Sequence, residues 1–151
     1  MVRTFSDNKK IYSVDMMFAY LNLFKHPVTN INVVDYAPVL EYDGWGDPKK
    51  NNYYSPADVL KNPTKKLYKD DFERIQNANL TYPIIIYKNN IVDGVHRLAK
   101  ASINNKKSLK AYVFDDKLMK KFLIDGNGDW NKVDDIDIYQ IIEKFYKQFS
   151  K

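Results

Sequence analysis

His96 and Arg97 are the residues whose types and position suggest chemistry most directly. They lie in the run DGVHR (residues 93–97), between a strand pattern that Asp93-Gly94 breaks and a helical pattern over Val95–Ile103. A helix start carries about half a positive charge and exposes free N–H groups, so two cations there have the wrong sign for an isolated helix. They become favourable if an anion binds at this junction, held by backbone N–H groups and the Arg97 fork. Gly94 would let that anion approach the backbone closely.

A second interpretation of the same run needs no ligand. Asp93 can cap the helix and form an ion pair with Arg97, which would make both charges purely local. Short motifs of a glycine and a cation often match by chance, so the residues themselves leave both interpretations open.

The segments around the run predict how it is positioned. Pro83–Tyr87 is an apolar strand pattern, Asn89-Asn90 can form a two-residue hairpin turn, and Ile91-Val92 is the return strand. The helix ends at Asn104-Asn105, and Leu109–Phe114 alternates as a further strand. The run therefore lies where a β-hairpin passes into a helix.

The run DGVHRLA (residues 93–99) resembles the signature of the ParB/sulfiredoxin-like superfamily. Members carry Gly-x-His-Arg or Gly-Glu-Arg-Arg at a helix start after a β-hairpin, and PIII (residues 83–86) resembles the strand before their motif. The resemblance covers roughly residues 30–114 and is most specific over 82–101. It implies an α+β fold, with a small mixed β-sheet packed with helices. It also implies nucleotide phosphates at the loop, as in sulfiredoxin, the CTP-binding ParB partition proteins and a free-serine kinase.

The chain departs from sulfiredoxin at the catalytic cysteine. Sulfiredoxin has that cysteine between the Gly and the His, where this chain has Val95, and the whole chain contains no cysteine. Sulfiredoxin chemistry needs the thiolate, so that activity is excluded while the phosphate site can remain. The chain also lacks the Glu-Arg-Arg form of ParB and is nearer to the kinase-like members.

The resemblance implies an NTP-dependent phosphotransferase or NTPase that binds ATP or another nucleotide with Mg²⁺. Asp93 would hold the Mg²⁺, and Asp93 and His96 would take part in catalysis. The residues implied in nucleotide binding are Gly94, Val95, His96, Arg97 and Lys65.

The stretch from Asp43 to Tyr54 is predicted to be a long loop. It combines two carboxylates, Asp43 and Asp47, with two glycines and large aromatic residues. Such a loop can stack on a base or ribose or close as a lid, and its carboxylates become second-choice catalytic groups if it folds over the motif. The alternative is a surface loop that Trp45 pins to the body.

Composition bounds the partners and the compartment. The 151 residues, 44% hydrophobic and 28% charged, predict one globular domain with its core at about residues 30–114. The net charge of +5 favours polyanions, and together with the resemblance to ParB it implies the alternative function, a ParB-like nucleic-acid-binding or nuclease module with DNA as a candidate partner. The absence of cysteine favours a reducing compartment. No run approaches the ~18 apolar residues of a membrane span, so we expect an intracellular, cytoplasmic protein without a membrane partner.

The flanking patterns predict helices that extend this core. Ser13 should cap a helix that ends at Phe24, and Ser55-Pro56 should start a second one. Further helices are predicted over Tyr68–Ala78 (preceded by an inward-facing Leu67), Asp116–Ile124 and Ile136–Phe149. The remaining expectations are a fraying segment over residues 1–10, an irregular strand over residues 36–40, and a turn without calcium-binding spacing over residues 125–129.

Overall fold

The computed structural model describes residues 2–150, and its contacts group them into two compact units. The central unit is Val28–Val113, and the terminal unit combines the two ends of the chain, up to Pro27 and from Phe114 onward. The sequence predicted one domain with a core at about residues 30–114; the two units are described separately here. Both contain helices and small sheets, which confirms the predicted α+β class.

The strands are β1 (Thr4–Asp7), β2 (Lys10–Ser13), β3 (Thr29–Asn32), β4 (Trp45–Asp47), β5 (Asn52–Tyr54), β6 (Ile84–Tyr87), β7 (Asn90–Asp93), β8 (Ser108–Phe114) and β9 (Leu123–Asp125). The α-helices are α1 (Val14–Leu23), α2 (Val33–Tyr36), α3 (Pro56–Lys61), α4 (Lys69–Asn77), α5 (Val95–Ile103), α6 (Asp116–Lys120), α7 (Trp130–Asp134) and α8 (Ile138–Phe149). Within residues 2–150, none of them has the length and apolar character that crossing a bilayer requires.

A four-stranded sheet in the order β3-β8-β6-β7 is the frame of the central unit. β6 and β7 form an antiparallel hairpin in which Ile86 lies opposite Ile91, and β3 runs antiparallel to β8. All four residues of β6 are buried, and Leu98 and Ala99 of α5 are fully buried with them. The start of α5 is thereby fixed against the sheet, which holds the DGVHR run in place.

The terminal unit contains a three-stranded sheet in the order β1-β2-β9. Of the segment predicted to fray, residues 1–10, the first lies outside the described residues. For the rest the prediction is wrong, because β1 pairs with β2 across a turn in which Asn8 has φ 58°. β2 pairs in turn with β9, which lies more than 100 residues further along the chain. The hairpin of β1 and β2 is thus extended by a distant strand, and local sequence patterns do not show such partners.

Several predicted elements are confirmed. Ser13 caps α1 through Met16 N–H, and Ser55 with Asp58 forms a capping box at the start of α3. α5 begins at Val95 and ends at Asn104, as the pattern predicted.

Other predicted boundaries are wrong for identifiable reasons. The irregular strand over residues 36–40 is a 3-10 helix, Ala37–Glu41, with Pro38 in its first turn. The β6–β7 turn is shifted by one residue, because Lys88 takes the positive φ of 55°. Leu67 lies in a 3-10 turn and is exposed instead of facing inward.

The C-terminal predictions merged separate elements. Asp116–Ile124 is α6 followed by β9, and the last helix begins at Ile138 after a capping box of Asp137 and Gln140. α7 precedes it as a separate helix. Residues 125–129 form a turn in which Asp125 accepts N–H groups of Asn127 and Asp129.

Candidate functional site

The first turn of α5 begins at Gly94, which has φ +117°. A Cβ at this position would lie 2.7 Å from the Cβ of Ile84. Glycine is therefore required by the backbone conformation and by the close approach of β6. The sequence predicted the close approach of an anion at Gly94, and the close neighbour in the structure is instead the buried strand β6.

Arg97 forms the ion pair with Asp93 that the second interpretation predicted. The predicted capping by Asp93 is wrong, because Gly94 is the N-cap of α5 and no side chain of the described residues caps this helix. The Nη2 of Arg97 donates to Asp93 Oδ2 at 2.6 Å, and its Nη1 donates to the carbonyl oxygens of Tyr82 (3.0 Å) and Pro83 (2.8 Å). The side chain is only 18% exposed. These bonds tie the start of α5 to the end of β7 and to the residues just before β6, so the guanidinium serves the fold in this structure.

His96 lies beside Arg97 in the chain but makes different contacts. Its Nε2 donates to Asp71 Oδ1 at 3.0 Å, because a carboxylate only accepts hydrogen bonds. The imidazole stacks on the indole of Trp45, with 4.4 Å between the ring centroids and 16° between the planes. The His96 side chain remains 28% exposed. It is thus fixed by two residues from distant parts of the chain and still reaches solvent.

Asp71 receives a second hydrogen bond from a side chain. The Tyr54 hydroxyl donates to its other carboxylate oxygen, Oδ2. Burial, followed by this hydrogen bond and the negative charge of Asp71, raises the pKa of Tyr54 to about 12. Tyr54 therefore stays protonated and acts as a donor at neutral pH. Its ring lies against Tyr68, with centroids 4.8 Å apart, which fixes the hydroxyl in place.

These residues lie on a polar cleft of about 530 Å³ in the central unit. Its lining combines the β4–β5 hairpin, the start of α4 and the start of α5. The lining residues are Gly44, Trp45, Gly46, Asp47, Lys50, Asn52, Tyr54, Leu67, Asp70, Asp71, Arg74 and His96. Within the described residues, the two cations Lys50 and Arg74 form no ion pair. The lining carries charges of both signs, because Asp47, Asp70 and Asp71 lie on it together with Lys50 and Arg74. The two unpaired cations can bind an anionic group, and the carboxylates of Asp47 and Asp70 can contact a cation that accompanies it.

The long loop predicted from Asp43 to Tyr54 is a β-hairpin. β4 pairs with β5, with Trp45 opposite Tyr54, and Gly46 takes a φ of +114° beside the Asn52 carbonyl. The hairpin places Asp47 on the same cleft as His96, which meets the condition set for this carboxylate. Asp43 does not line the cleft.

Of the principal residues predicted for the site, His96 alone lies on this cleft. Asp93 is engaged by Arg97, and Val95 lines a separate apolar pocket of about 130 Å³. Lys65 lies with its Nζ 5.0 Å above the ring of Tyr68. In residues 2–150 no group of three or more His, Cys, Asp or Glu side chains could hold a metal ion.

Sequence reasoning missed Asp71 and Arg74. Asp71 lies in the first turn of α4, where an acidic residue suits the helix dipole, so its sequence position indicates a structural role. Asp71 and His96 are 25 residues apart, and no sequence spacing links them. The spacing Asp70–Arg74 is the typical helical ion-pair spacing, yet the structure forms no such pair here.

Comparison of the chain with protein-family models, with curated proteins and with solved structures finds no match. The superfamily resemblance therefore rests on the DGVHRLA run and the strand before it. The functional argument that follows depends on the cleft.

Proposed function

We propose that the central unit binds a nucleotide through its phosphates in the cleft beside His96 and serves phosphoryl transfer or NTP hydrolysis. The observation that carries this proposal is the state of His96. One ring nitrogen is held by Asp71, the ring is fixed on Trp45, and the other nitrogen, Nδ1, has no hydrogen-bond partner within residues 2–150. A fixed imidazole with a free nitrogen, on a cleft that also carries two unpaired cations, has the form of a general base for an attacking hydroxyl or water.

The phosphates are assigned to Lys50 and Arg74. Both cations line the cleft with His96, and neither is neutralised by a described carboxylate. Phosphoryl transfer depends mainly on positioning and on neutralising the charge of the transferred group. In the proposed step, the attacking oxygen passes its proton to His96 as the new O–P bond forms and the bond to the leaving phosphate breaks.

Mg²⁺ in this proposal enters with the nucleotide. Mg²⁺ is commonly held by substrate phosphates plus one or two carboxylates, and it retains several waters. Asp47 and Asp70 are the cleft carboxylates that could contact it. Asp93, the residue expected from the resemblance, is turned to Arg97 instead.

As part of this proposal we assign the protein to the cytoplasm. The chain contains no cysteine and so needs no oxidising compartment to form disulfides.

Calorimetric titration with ATP, ADP, GTP and CTP in the presence of Mg²⁺ tests the binding. We expect binding by the wild type and an affinity about 10- to 150-fold weaker in Arg74→Ala and in Lys50→Ala, since charged hydrogen bonds contribute roughly 1.5–3 kcal/mol. Lys110→Ala is the matched control, because Lys110 is an exposed lysine of the same unit outside the cleft. No heat of binding at millimolar nucleotide would contradict the proposal, and so would equal affinity in all variants.

A second candidate is a DNA-binding or nuclease module of the ParB-like kind. The observation that favours it is the charge of the central unit, where Lys and Arg outnumber Asp and Glu by 13 to 9. Binding of this kind should weaken steeply as salt rises, because cations on the protein release counterions from the phosphate backbone. Gel shifts with duplex and single-stranded DNA between about 50 and 200 mM salt measure this, and absent or salt-insensitive binding would remove the candidate.

A further inference from the structure

Asp71 is the residue that connects the β4–β5 hairpin, α4 and α5 at the cleft. One carboxylate oxygen accepts from Tyr54 Oη of β5 and the other accepts from His96 Nε2 of α5. The side chain is 15% exposed, and its two oxygens are both occupied by side-chain donors. Asp71 therefore fixes two side chains of the cleft at once, Tyr54 and His96.

An imidazole has two neutral tautomers, and only one of them can donate to Asp71. If the hydrogen is on Nε2, the Asp71 bond forms and Nδ1 carries the lone pair. If the hydrogen is on Nδ1, two lone pairs face each other at 3.0 Å across the Nε2–Oδ1 contact. The Tyr54 bond and the Trp45 stack keep the carboxylate and the ring from turning away.

We infer that Asp71 is a positioning residue that holds neutral His96 in the Nε2–H tautomer and so makes Nδ1 the proton acceptor of the cleft. The catalytic use of Nδ1 rests on the proposed function. The tautomer itself is a property of the free protein. Tyr54 supports Asp71 but is not required for the tautomer, because it contacts the oxygen that does not face His96.

Nitrogen-15 NMR of the imidazoles tests the tautomer directly, since a nitrogen that bears hydrogen and one that bears a lone pair resonate far apart. The chain contains two histidines, so the His96 signals are identified by their loss in His96→Gln. We compare the wild type, Tyr54→Phe, and the double variant Asp71→Leu/Tyr54→Phe. The double variant removes the buried hydroxyl together with its acceptor, which avoids leaving Tyr54 unpaired.

We expect His96 in the wild type and in Tyr54→Phe to carry its hydrogen on Nε2, and the double variant to lose this preference. A hydrogen on Nδ1 in the wild type would overturn the inference. An unchanged tautomer in the double variant would overturn it as well. If the double variant does not fold, Asp71→Ala/Tyr54→Phe provides the same comparison, because alanine also cannot accept a hydrogen bond from His96.

Steady-state kinetics separate this inference from the proposed function. If nucleotide is turned over, kcat should fall about 100-fold in the double variant and by only a few-fold in Tyr54→Phe, with KM changed little, because the lost effect is on proton transfer. A wild type without nucleotide binding or turnover would reject the proposed function, and the spectra would still decide the role of Asp71. A change confined to KM would assign Asp71 to substrate binding and reject its positioning role.

Discussion

Two adjacent residues of one motif, Arg97 and His96, lie in regions of opposite character. The Arg97 guanidinium is enclosed by Asp93 and two backbone carbonyl oxygens, all within the β6–β7 hairpin and the start of α5. His96 is turned to the cleft, where its partners come from the β4–β5 hairpin and from α4. Neighbouring side chains on a helix diverge by about 100°, so one turn of helix can serve both regions.

The difference lies in the partners. Arg97 is satisfied by a carboxylate four residues away and by two backbone carbonyl oxygens that immediately precede β6. His96 is satisfied at one nitrogen by a residue whose position depends on the whole central unit, and its other nitrogen makes no hydrogen bond within residues 2–150. Arg97, whose hydrogen-bond donors are used by groups of the fold, therefore has a structural role. His96, which a distant carboxylate binds at one nitrogen and whose ring borders a cleft, is the better candidate for a functional site.

Asp125 of the terminal unit shows the structural type among the carboxylates. Its Oδ2 accepts the backbone N–H groups of Asn127 and Asp129, and these bonds lower the pKa of Asp125. Asp71, in contrast, accepts from two side chains of distant elements. The same distinction thus separates Arg97 from His96 and Asp125 from Asp71.

The largest effect is expected for Gly94→Ala, which acts on the turn that both regions share. The new Cβ would lie 2.7 Å from the Cβ of Ile84 at a φ of +117°, so we expect a loss of about 3 kcal/mol in unfolding free energy. Urea unfolding measures it. Gly126→Ala is the control, because its nearest neighbour to an added Cβ is 4.0 Å away, and its loss should stay within about 0.5 kcal/mol. A Gly94→Ala variant of normal stability would mean that this glycine does not serve the packing of β6.

The next effect separates Arg97 from Arg74. Arg97→Ala should cost about 2 kcal/mol of stability, since it leaves Asp93 and two carbonyl oxygens without their donor. The Arg97→Ala protein should still be stabilised by added phosphate. Arg74→Ala should have nearly normal stability without phosphate but should lose the stabilisation that phosphate adds, which is roughly 2 kcal/mol for a millimolar Kd and ~50 mM phosphate.

Thermal melts of both variants with and without phosphate measure the two effects. Sulfate at matched ionic strength is included for each protein, because excluded salts stabilise all folded states. If Arg97→Ala loses the phosphate increment and Arg74→Ala keeps it, the anion binds at the DGVHR loop, and the first interpretation of the motif replaces the cleft.

Local chemistry explains what could be predicted from the sequence. The helix starts at Ser13 and Ser55 and the Val95 start of α5 depend on caps and glycine geometry within a few residues. The chemistry of residues 93–97 was predicted as two alternatives, and the choice depended on where Arg97 pointed. That direction is set by the Tyr82 and Pro83 carbonyl oxygens, whose position follows from the packing of β6.

The rest of the site depends on contacts between distant segments. The strands of the β4–β5 hairpin are connected by a 3-10 turn and by Asn51 in the left-handed region. This connection lacks the short turn dipeptide by which a hairpin is usually predicted from sequence. Asp71 lies in a helix that the sequence predicted, but nothing in that helical pattern marked it as a site residue. Its two partners, Tyr54 and His96, are 17 and 25 residues away along the chain. Such pairings follow from tertiary packing, which a single sequence does not encode in any spacing.

The smallest effect is expected for Tyr54→Phe, and its pH dependence distinguishes the supporting bond from simple packing. The pKa of Tyr54 in the folded state, about 12, is above its ordinary value of 10.0. A raised pKa gives stability that is fully present below the unfolded value and is lost as pH rises through the folded value. Tyr54→Phe should therefore cost about 1 kcal/mol near neutral pH, and the difference from wild type should narrow between about pH 10 and 12 because phenylalanine does not titrate. Urea unfolding from about pH 8 upward measures both proteins, with Tyr139→Phe, 78% exposed, as the control that should match wild type throughout. A difference that stays constant with pH would mean that Tyr54 contributes packing alone, and that the hydroxyl does not hold Asp71 at the cleft.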